Sequence, residues 1–158
     1  MERIPMTPDG FQKLHDELQR IKSVDRPQVV KDIEEARAHG DLSANAEYHA
    51  AKEKQGLLAA RLNFLEDRLS RAEVIDPKKN TNITKIIFGA TVKVYDITND
   101  QEAQYKIVGD DEADLKTNTI GISSPMARGL IGKSQGDEAM VHTPKGKKEF
   151  EILEVSYL

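Results

Sequence analysis

The chain has 158 residues, of which 38% are hydrophobic and 32% are charged, a composition typical of one or two small domains with a modest core. It contains no cysteine, which excludes disulfides and cysteine-based metal sites, and its first residues include no apolar run long enough for a signal peptide or a membrane span. The net charge of -4 is spread over both halves, so electrostatic binding of duplex DNA is not expected as the main activity. We therefore expect a cytoplasmic protein without a membrane partner.

A first helix is predicted to begin at Thr7, whose hydroxyl can cap free backbone N–H groups, with Pro8 at the first helical position. One apolar face follows at Phe11, Leu14, Leu18 and Ile21. Pro27 lacks an N–H, which predicts a kink or a restart with Asp25 as the cap of the continuation. That continuation is expected to end near residues 39–40 and to bury Val29, Val30, Ile33 and Ala36.

A second helix follows with an unbroken coiled-coil pattern. Its seam comprises Tyr48, Ala51, Gln55, Leu58, Leu62, Leu65, Leu69 and Ala72, at alternating steps of three and four residues. Because only a few residues join the two helices, they must run antiparallel. Residues 1–75 are thus predicted to form a coiled-coil helical hairpin whose tip lies near residues 37–52.

Residues 76–82 lack periodicity and are predicted to be a linker to a second domain, residues 83–158. Short segments rich in β-branched residues follow, which predict a small antiparallel sheet from "ATVKVYDI", "AQYKIVG", "NTIGIS", "EAMVHT" and "KKEFEILEVSYL". Ser124 can cap a short helix that Gly132 can end. The fold class is therefore α+β.

Two acids stand out at the predicted tip, Asp41 and Glu47. Each has an ordinary explanation, because a carboxylate near a helix start interacts favourably with free N–H groups and with the helix dipole. A carboxylate on a long projection could instead complete the coordination of Mg²⁺, with a partner supplying the remaining ligands. Arg37 and Lys52 lie close by on opposite arms and could bind phosphates, although solvated helix charges are the commoner explanation.

The chain closely resembles the Gre family of bacterial transcript cleavage factors over essentially its whole length. The motifs that carry the resemblance are "IPMT", "EARAHGDLSANAEYHAAKEKQG", "IIFGATV", "YKIVGDDEAD", "SSPMARGLIGK" and the final "YL". The resemblance implies an N-terminal coiled-coil hairpin and a C-terminal domain similar to FKBP-type prolyl isomerases. It also implies an accessory factor, not an enzyme, that inserts its hairpin into the secondary channel of bacterial RNA polymerase and stimulates hydrolysis of backtracked RNA.

The same resemblance assigns roles to residues of the tip. Asp41, with Glu47 as a second candidate, would help to hold an Mg²⁺ ion shared with the polymerase active site, and the factor would have no cofactor of its own. Arg37 and Lys52 match positions associated with the 3′ end of the backtracked RNA. A monomer without a small-molecule substrate is expected.

The C-terminal domain is expected to dock on the polymerase through the "SSPMARGLIGK" segment. It combines a Ser-Pro turn with possible apolar anchors, and the predicted contact comprises Ser123, Ser124, Pro125, Met126 and Leu130. Ordinary core packing is nearly as good an explanation for Leu130 and Ile131.

One position departs from the family pattern Asp-x-x-Glu, because the second acid is replaced by Ala44. The loss removes a carboxylate that could share the metal with Asp41, so cleavage stimulation is expected to be impaired. An alternative is an inhibitor that occupies the polymerase channel without stimulating cleavage. A third is a prolyl isomerase or chaperone, which the low aromatic content of 5% does not favour.

Overall fold

A computed structural model describes residues 2–40, 45–80 and 84–158. Two of the predicted tip residues, Asp41 and Ala44, lie outside the described residues, as do residues 81–83 of the predicted linker. The chain divides into two compact units. The hairpin unit comprises Glu2 and Phe11–Ala72, and the sheet unit comprises Arg3–Gly10 and Glu73–Leu158.

The first arm is a nearly continuous helix. Helix α1 (Pro8–Arg20) passes through a π-helical turn (Ile21–Asp25) into helix α2 (Arg26–Arg37). The interruption predicted at Pro27 is therefore present as this π turn, a form in which a helix accommodates a local insertion without ending. For the same reason the predicted Asp25 cap is wrong: Asp25 has helical φ and ψ angles of -68° and -44° and makes no side-chain capping bond.

Helix α3 (Ala46–Ser70) forms the second arm and packs against α2. Its predicted seam is confirmed from Tyr48 to Leu69, because Leu62 and Leu65 are buried and the other seam residues within α3 are half-buried. The prediction that Ala72 ends the seam is wrong, because α3 ends at Ser70 and Ala72 lies in a strand. On α2, Val29 is buried but Val30 is 43% exposed, so the prediction that Val30 faces the seam is wrong. Neighbouring helix positions point about 100° apart, and only Val29 can occupy the core face.

The sheet unit begins earlier in the chain than predicted. Strand β1 (Ile4–Met6) pairs with strand β2 (Ala72–Val74), and a 3₁₀ turn (Pro77–Lys79) follows. Pro77 is buried, and a Cβ added at Gly89 would lie 2.8 Å from its ring. Part of the predicted linker is thus packed into the sheet unit, because contacts with distant residues order a segment that has no periodicity of its own.

The five remaining strands form one sheet in the order β5-β4-β3-β7-β6. They are β3 (Thr91–Asp96), β4 (Gln101–Val108), β5 (Thr119–Gly121), β6 (Glu138–Thr143) and β7 (Gly146–Ser156). With the helical hairpin, this sheet confirms the α+β class. The predicted antiparallel pairing holds for β4-β3-β7-β6, whereas β5 departs from it and pairs with β4 in parallel. The ten residues 109–118 are long enough to carry the chain back along β4 to Lys106, so that β5 can run in the same direction. The alternation of apolar residues predicts a strand but not its direction.

Helix α4 (Pro125–Leu130) covers one face of the sheet against β6 and buries Ala127 and Leu130. Its predicted caps are confirmed: Ser124 Oγ accepts a hydrogen bond from Ala127 N at 3.2 Å, and Gly132 follows the helix with φ of +89°. The core of the unit joins these residues to the inward sides of the strands. No helix in the described ranges is long and apolar enough to cross a membrane.

Candidate functional site

The helix ends at the hairpin tip are joined by Asn45. This residue is the N-cap of α3, with extended backbone angles, and its Oδ1 accepts a hydrogen bond from Tyr48 N at 3.0 Å. Its Nδ2 donates to the carbonyl of Ala36, in the last turn of α2, at 2.6 Å. One side chain thus satisfies a free donor on one arm and a carbonyl on the other.

The predicted acid Glu47 lies in the first turn of α3, where its charge is favourable beside the helix N-terminus. Its carboxylate Oε2 lies 3.2 Å from Nδ1 of His39, which follows α2 on the opposite arm. Both side chains are well exposed, at 65% for His39 and 72% for Glu47. The acid therefore has a neighbour across the tip and remains accessible to a partner.

The two predicted basic residues are placed on opposite arms. The Arg37 guanidinium lies 5.8 Å from the centre of the Tyr48 ring, so the arginine of α2 packs on an aromatic residue of α3. Lys52 is exposed and donates to Gln55 Oε1 at 3.2 Å. Neither is ion-paired with a residue in the described part of the chain.

A groove of about 490 Å³ lies between the arms, behind the tip. Lys52, Gly56 and Ala59 of α3 line it together with Val29 of α2. A Cβ at Gly56 would meet nothing within 4 Å. Gly56 is exposed and thus lies at the open edge of this groove.

Among the described residues, the tip offers one carboxylate as a candidate metal ligand, that of Glu47. Within residues 2–40, 45–80 and 84–158, no group of three His, Cys, Asp or Glu side chains is placed to hold a metal ion. The Glu47 carboxylate is exposed and is a hard oxygen ligand of the kind that Mg²⁺ prefers. A single such ligand suffices only where another molecule supplies the rest.

The turn before α4 brings together most of the predicted docking residues. Ser123 and Pro125 are exposed, and Ser124 and Met126 are half-buried. The turn is held by Asp110, whose Oδ1 accepts a hydrogen bond from Ser123 N at 2.9 Å. We define the docking turn as residues 123–126.

Leu130 does not belong to this surface. It is 0% exposed and lies in the core of the sheet unit, so the prediction that it anchors docking is wrong. The short helix has one face toward the sheet, and Leu130 lies on that face with Ala127. The alternative explanation for Leu130, ordinary packing in the core, is confirmed.

Three contributors at these sites were not singled out from the sequence. Asn45 immediately precedes a helical pattern, so its capping role was detectable, but its bond to Ala36 was not. His39 and Asp110 gave no signal, because each acts on a residue that only the fold brings near.

The fold and the tip define a class of two-unit protein. One unit is a helical hairpin that carries charged side chains at its end, and the other is built around a sheet. Two family models match this chain and together cover nearly all of it. Residues 4–74 match the family described as transcription elongation factor, N-terminal, and residues 80–157 match the one described as transcription elongation factor, GreA/GreB, C-terminal.

Named relatives extend the match to full length. The chain is 54% identical over 157 residues to transcription elongation factor GreA of Psychrobacter sp. (strain PRwf-1), covering 99% of each chain. It is 52% identical to transcription elongation factor GreA of Yersinia pestis, covering 100% of each. The chain belongs to the GreA/GreB family of transcription elongation factors.

Solved structures also align over almost the entire chain. Gfh1 of Thermus thermophilus, a GreA factor homologue, is 28% identical with a TM-score of 0.44, covering 98% of this chain and 99% of that one. A GreA/GreB factor of Nitrosomonas europaea is 22% identical with a TM-score of 0.42, covering 98% and 100%. The family assignment depends on the sequence relatives alone.

Proposed function

We propose that this elongation factor binds bacterial RNA polymerase, inserts its hairpin into the secondary channel and stimulates hydrolysis of backtracked RNA. The observation that carries the proposal is an exposed acid, Glu47, at the end of a hairpin with a cation on each arm, in a chain that belongs to this family. As an accessory factor, it would act on the hydrolytic activity of the polymerase without a complete active site of its own.

The tip acids would contribute ligands to an Mg²⁺ ion shared with the polymerase. Asp41, matched to the family motif, is the first candidate, and Glu47 is the second. When bound, such an ion stabilises charge and activates water for phosphodiester hydrolysis. Arg37 and Lys52 would bind phosphates near the 3′ end of the RNA and so hold the strand beside the tip.

Ala44 is expected to weaken this activity, because only one acid remains at the paired family positions. Ala44→Glu should therefore accelerate cleavage of a backtracked complex strongly at low Mg²⁺ and less at high Mg²⁺, since mass action compensates for weaker metal affinity. Affinity for polymerase should change little. Cleavage rates across an Mg²⁺ series measure this, with Asp41→Ala and Glu47→Ala as comparisons. Equal rates for the unmodified protein and Ala44→Glu at every Mg²⁺ concentration would contradict the proposal.

Ala44 also favours a second candidate, an inhibitor that occupies the channel without promoting cleavage. Run-off transcription separates the two functions. A rescue factor increases readthrough of arrest sites, whereas an inhibitor lowers total synthesis.

Docking is proposed to involve the docking turn, because its backbone is held by Asp110 while Ser123 and Pro125 face outward. Met126→Glu should weaken polymerase binding by placing a charge beside this surface. Met140→Glu is the matched control, since Met140 is 42% exposed on β6. Binding is measured with the full chain, and thermal unfolding of both variants reveals any loss of folding. Equal affinities of two folded variants would remove the docking turn from the interface.

A further inference from the structure

Asn45 makes one hydrogen bond more than a helix cap requires. The bond from Tyr48 N to its Oδ1, at 3.0 Å, is ordinary N-capping, which Ser, Thr or Asp performs equally well. The bond from its Nδ2 to the Ala36 carbonyl, at 2.6 Å, crosses from one arm to the other. Of these short capping side chains, only asparagine combines a carbonyl acceptor with N–H donors. The second bond is therefore the specific reason for asparagine.

The side chains that pack between the arms at this end of the hairpin are small or half-buried. Ala36 is buried but small, Tyr48 is half-buried, and behind them the groove at Gly56 leaves space between the helices. The Arg37–Tyr48 contact and the His39–Glu47 pair also cross the tip, but both involve exposed charged groups, which contribute little fixed geometry. The Asn45–Ala36 bond is part-buried and joins the helices directly.

We propose that Asn45 is a positioning residue that fixes the separation of the two helix ends at the tip, so that Glu47 of one arm and Arg37 of the other reach the polymerase active site in one arrangement. The expected effect on cleavage rests on the proposed function, but the role of the Asn45–Ala36 bond in holding the helix ends can be tested without measuring cleavage. Small displacements of a catalytic ligand are costly, and loss of a group that orients such a ligand typically lowers activity by about 10–100-fold.

The decisive comparison is between Asn45→Ser and Asn45→Ala, both made in an Ala44→Glu background in which cleavage is strong. Serine keeps the cap of α3 but is too short to reach Ala36, whereas alanine loses both bonds. We expect both variants to cleave at least about tenfold more slowly at saturating factor, with the half-saturating factor concentration unchanged. Asn45→Ala should also lower the thermal unfolding midpoint more than Asn45→Ser, because it loses the helix cap as well as the bond between the arms.

If Asn45 serves only as the N-cap of α3, different cleavage rates are expected. In that case Asn45→Ser would cleave as fast as its parent, and this result would overturn the inference. If the Ala44→Glu parent itself fails to stimulate cleavage, the proposed function is wrong, and the role of Asn45 is then decided by a distance measurement.

That measurement uses the absence of native cysteine to attach spin labels at two exposed positions on opposite arms, Glu35→Cys and Ala50→Cys. The inter-label distance distribution should be narrow in the protein with Asn45 and should broaden in Asn45→Ser, while the helix content stays the same. An unchanged distribution would overturn the inference whatever the cleavage result.

Discussion

The two units of the chain bury their apolar side chains in different ways. The sheet unit surrounds a closed core in which Ile86, Leu130 and Ile152 are at most 1% exposed. In the hairpin unit the large buried residues of α3, Leu62 and Leu65, lie toward the end of the helix away from the tip, and the seam changes to half-buried Ala51 and Gln55. Stability is therefore concentrated in the sheet and in the base of the hairpin, whereas the tip depends on a few hydrogen bonds and exposed charges.

The largest expected effect is in the core of the sheet unit. Leu130→Ala should lower the free energy of unfolding by about 2–5 kcal/mol, because it removes a fully buried side chain and leaves a cavity. Leu115→Ala is the control, since Leu115 is 81% exposed and its truncation should change stability by less than about 0.5 kcal/mol. Denaturant unfolding measures both. If Leu130→Ala lowers the free energy of unfolding by less than about 1 kcal/mol, the sheet unit does not have a more tightly packed core than the hairpin tip.

The next effect concerns Glu112, which ties Thr7, in the N-terminal segment of the sheet unit, to the rest of that unit. Its carboxylate accepts hydrogen bonds from Thr7 N at 2.9 Å, from Gly109 N at 3.1 Å and from the Thr7 hydroxyl. Glu112→Ala should cost about 1–3 kcal/mol, because it leaves part-buried donors without their charged acceptor. Glu138→Ala, at an exposed site on β6, serves as the control in the same thermal unfolding series. Similar midpoints for the two variants would contradict this assignment.

A smaller, pH-dependent effect is expected on the hairpin. The hydrogen bond from Arg61 holds the pKa of the Glu17 carboxyl below its usual value, and the two side chains form a two-bond pair at 2.5 and 2.8 Å. Because the pKa is lowered in the folded state, the stabilisation is present above the ordinary pKa and is lost as the pH falls through the folded value. The pair is partly exposed, so Glu17→Gln should cost only about 0.2–1 kcal/mol at neutral pH and nothing in strong acid.

Unfolding free energies measured across a pH series check this prediction. Glu53→Gln, at an exposed position of α3, is the control for removal of a surface carboxylate. A cost for Glu17→Gln that persists below the lowered pKa would show that the lost contact is not the charge-assisted bond.

The smallest effect on stability is expected at the tip, where Arg37→Ala should change the free energy of unfolding by less than about 0.5 kcal/mol. The same substitution should weaken crosslinking of the hairpin to the 3′ end of a backtracked transcript. Lys31→Ala, at another exposed position of α2, should leave crosslinking intact. Unchanged crosslinking in Arg37→Ala would return Arg37 to the class of solvated helix charges.

By itself, the sequence determined the long helices of the hairpin, the strands of the main sheet and the approximate division of the chain, because these depend on local periodicity and capping. Strands β1 and β2 and the place of the first residues in the sheet unit were not predicted. The seam of α3, the Thr7 and Ser124 caps and all five segments of the main sheet were predictable in this way. The charged residues of the tip were also recognisable from the sequence, since each of them matches a position of the family motif.

Only the tertiary structure decided which residues meet across long stretches of chain. The parallel pairing of β5, the packing of Pro77 into the sheet unit and the burial of Leu130 all depend on non-local contacts that periodicity does not encode. The same holds for the bond from Asn45 to Ala36 and for the Asp110 bond that holds the docking turn. A side-chain hydrogen bond to a backbone carbonyl leaves no mark on the residue that accepts it, because every residue carries the same carbonyl.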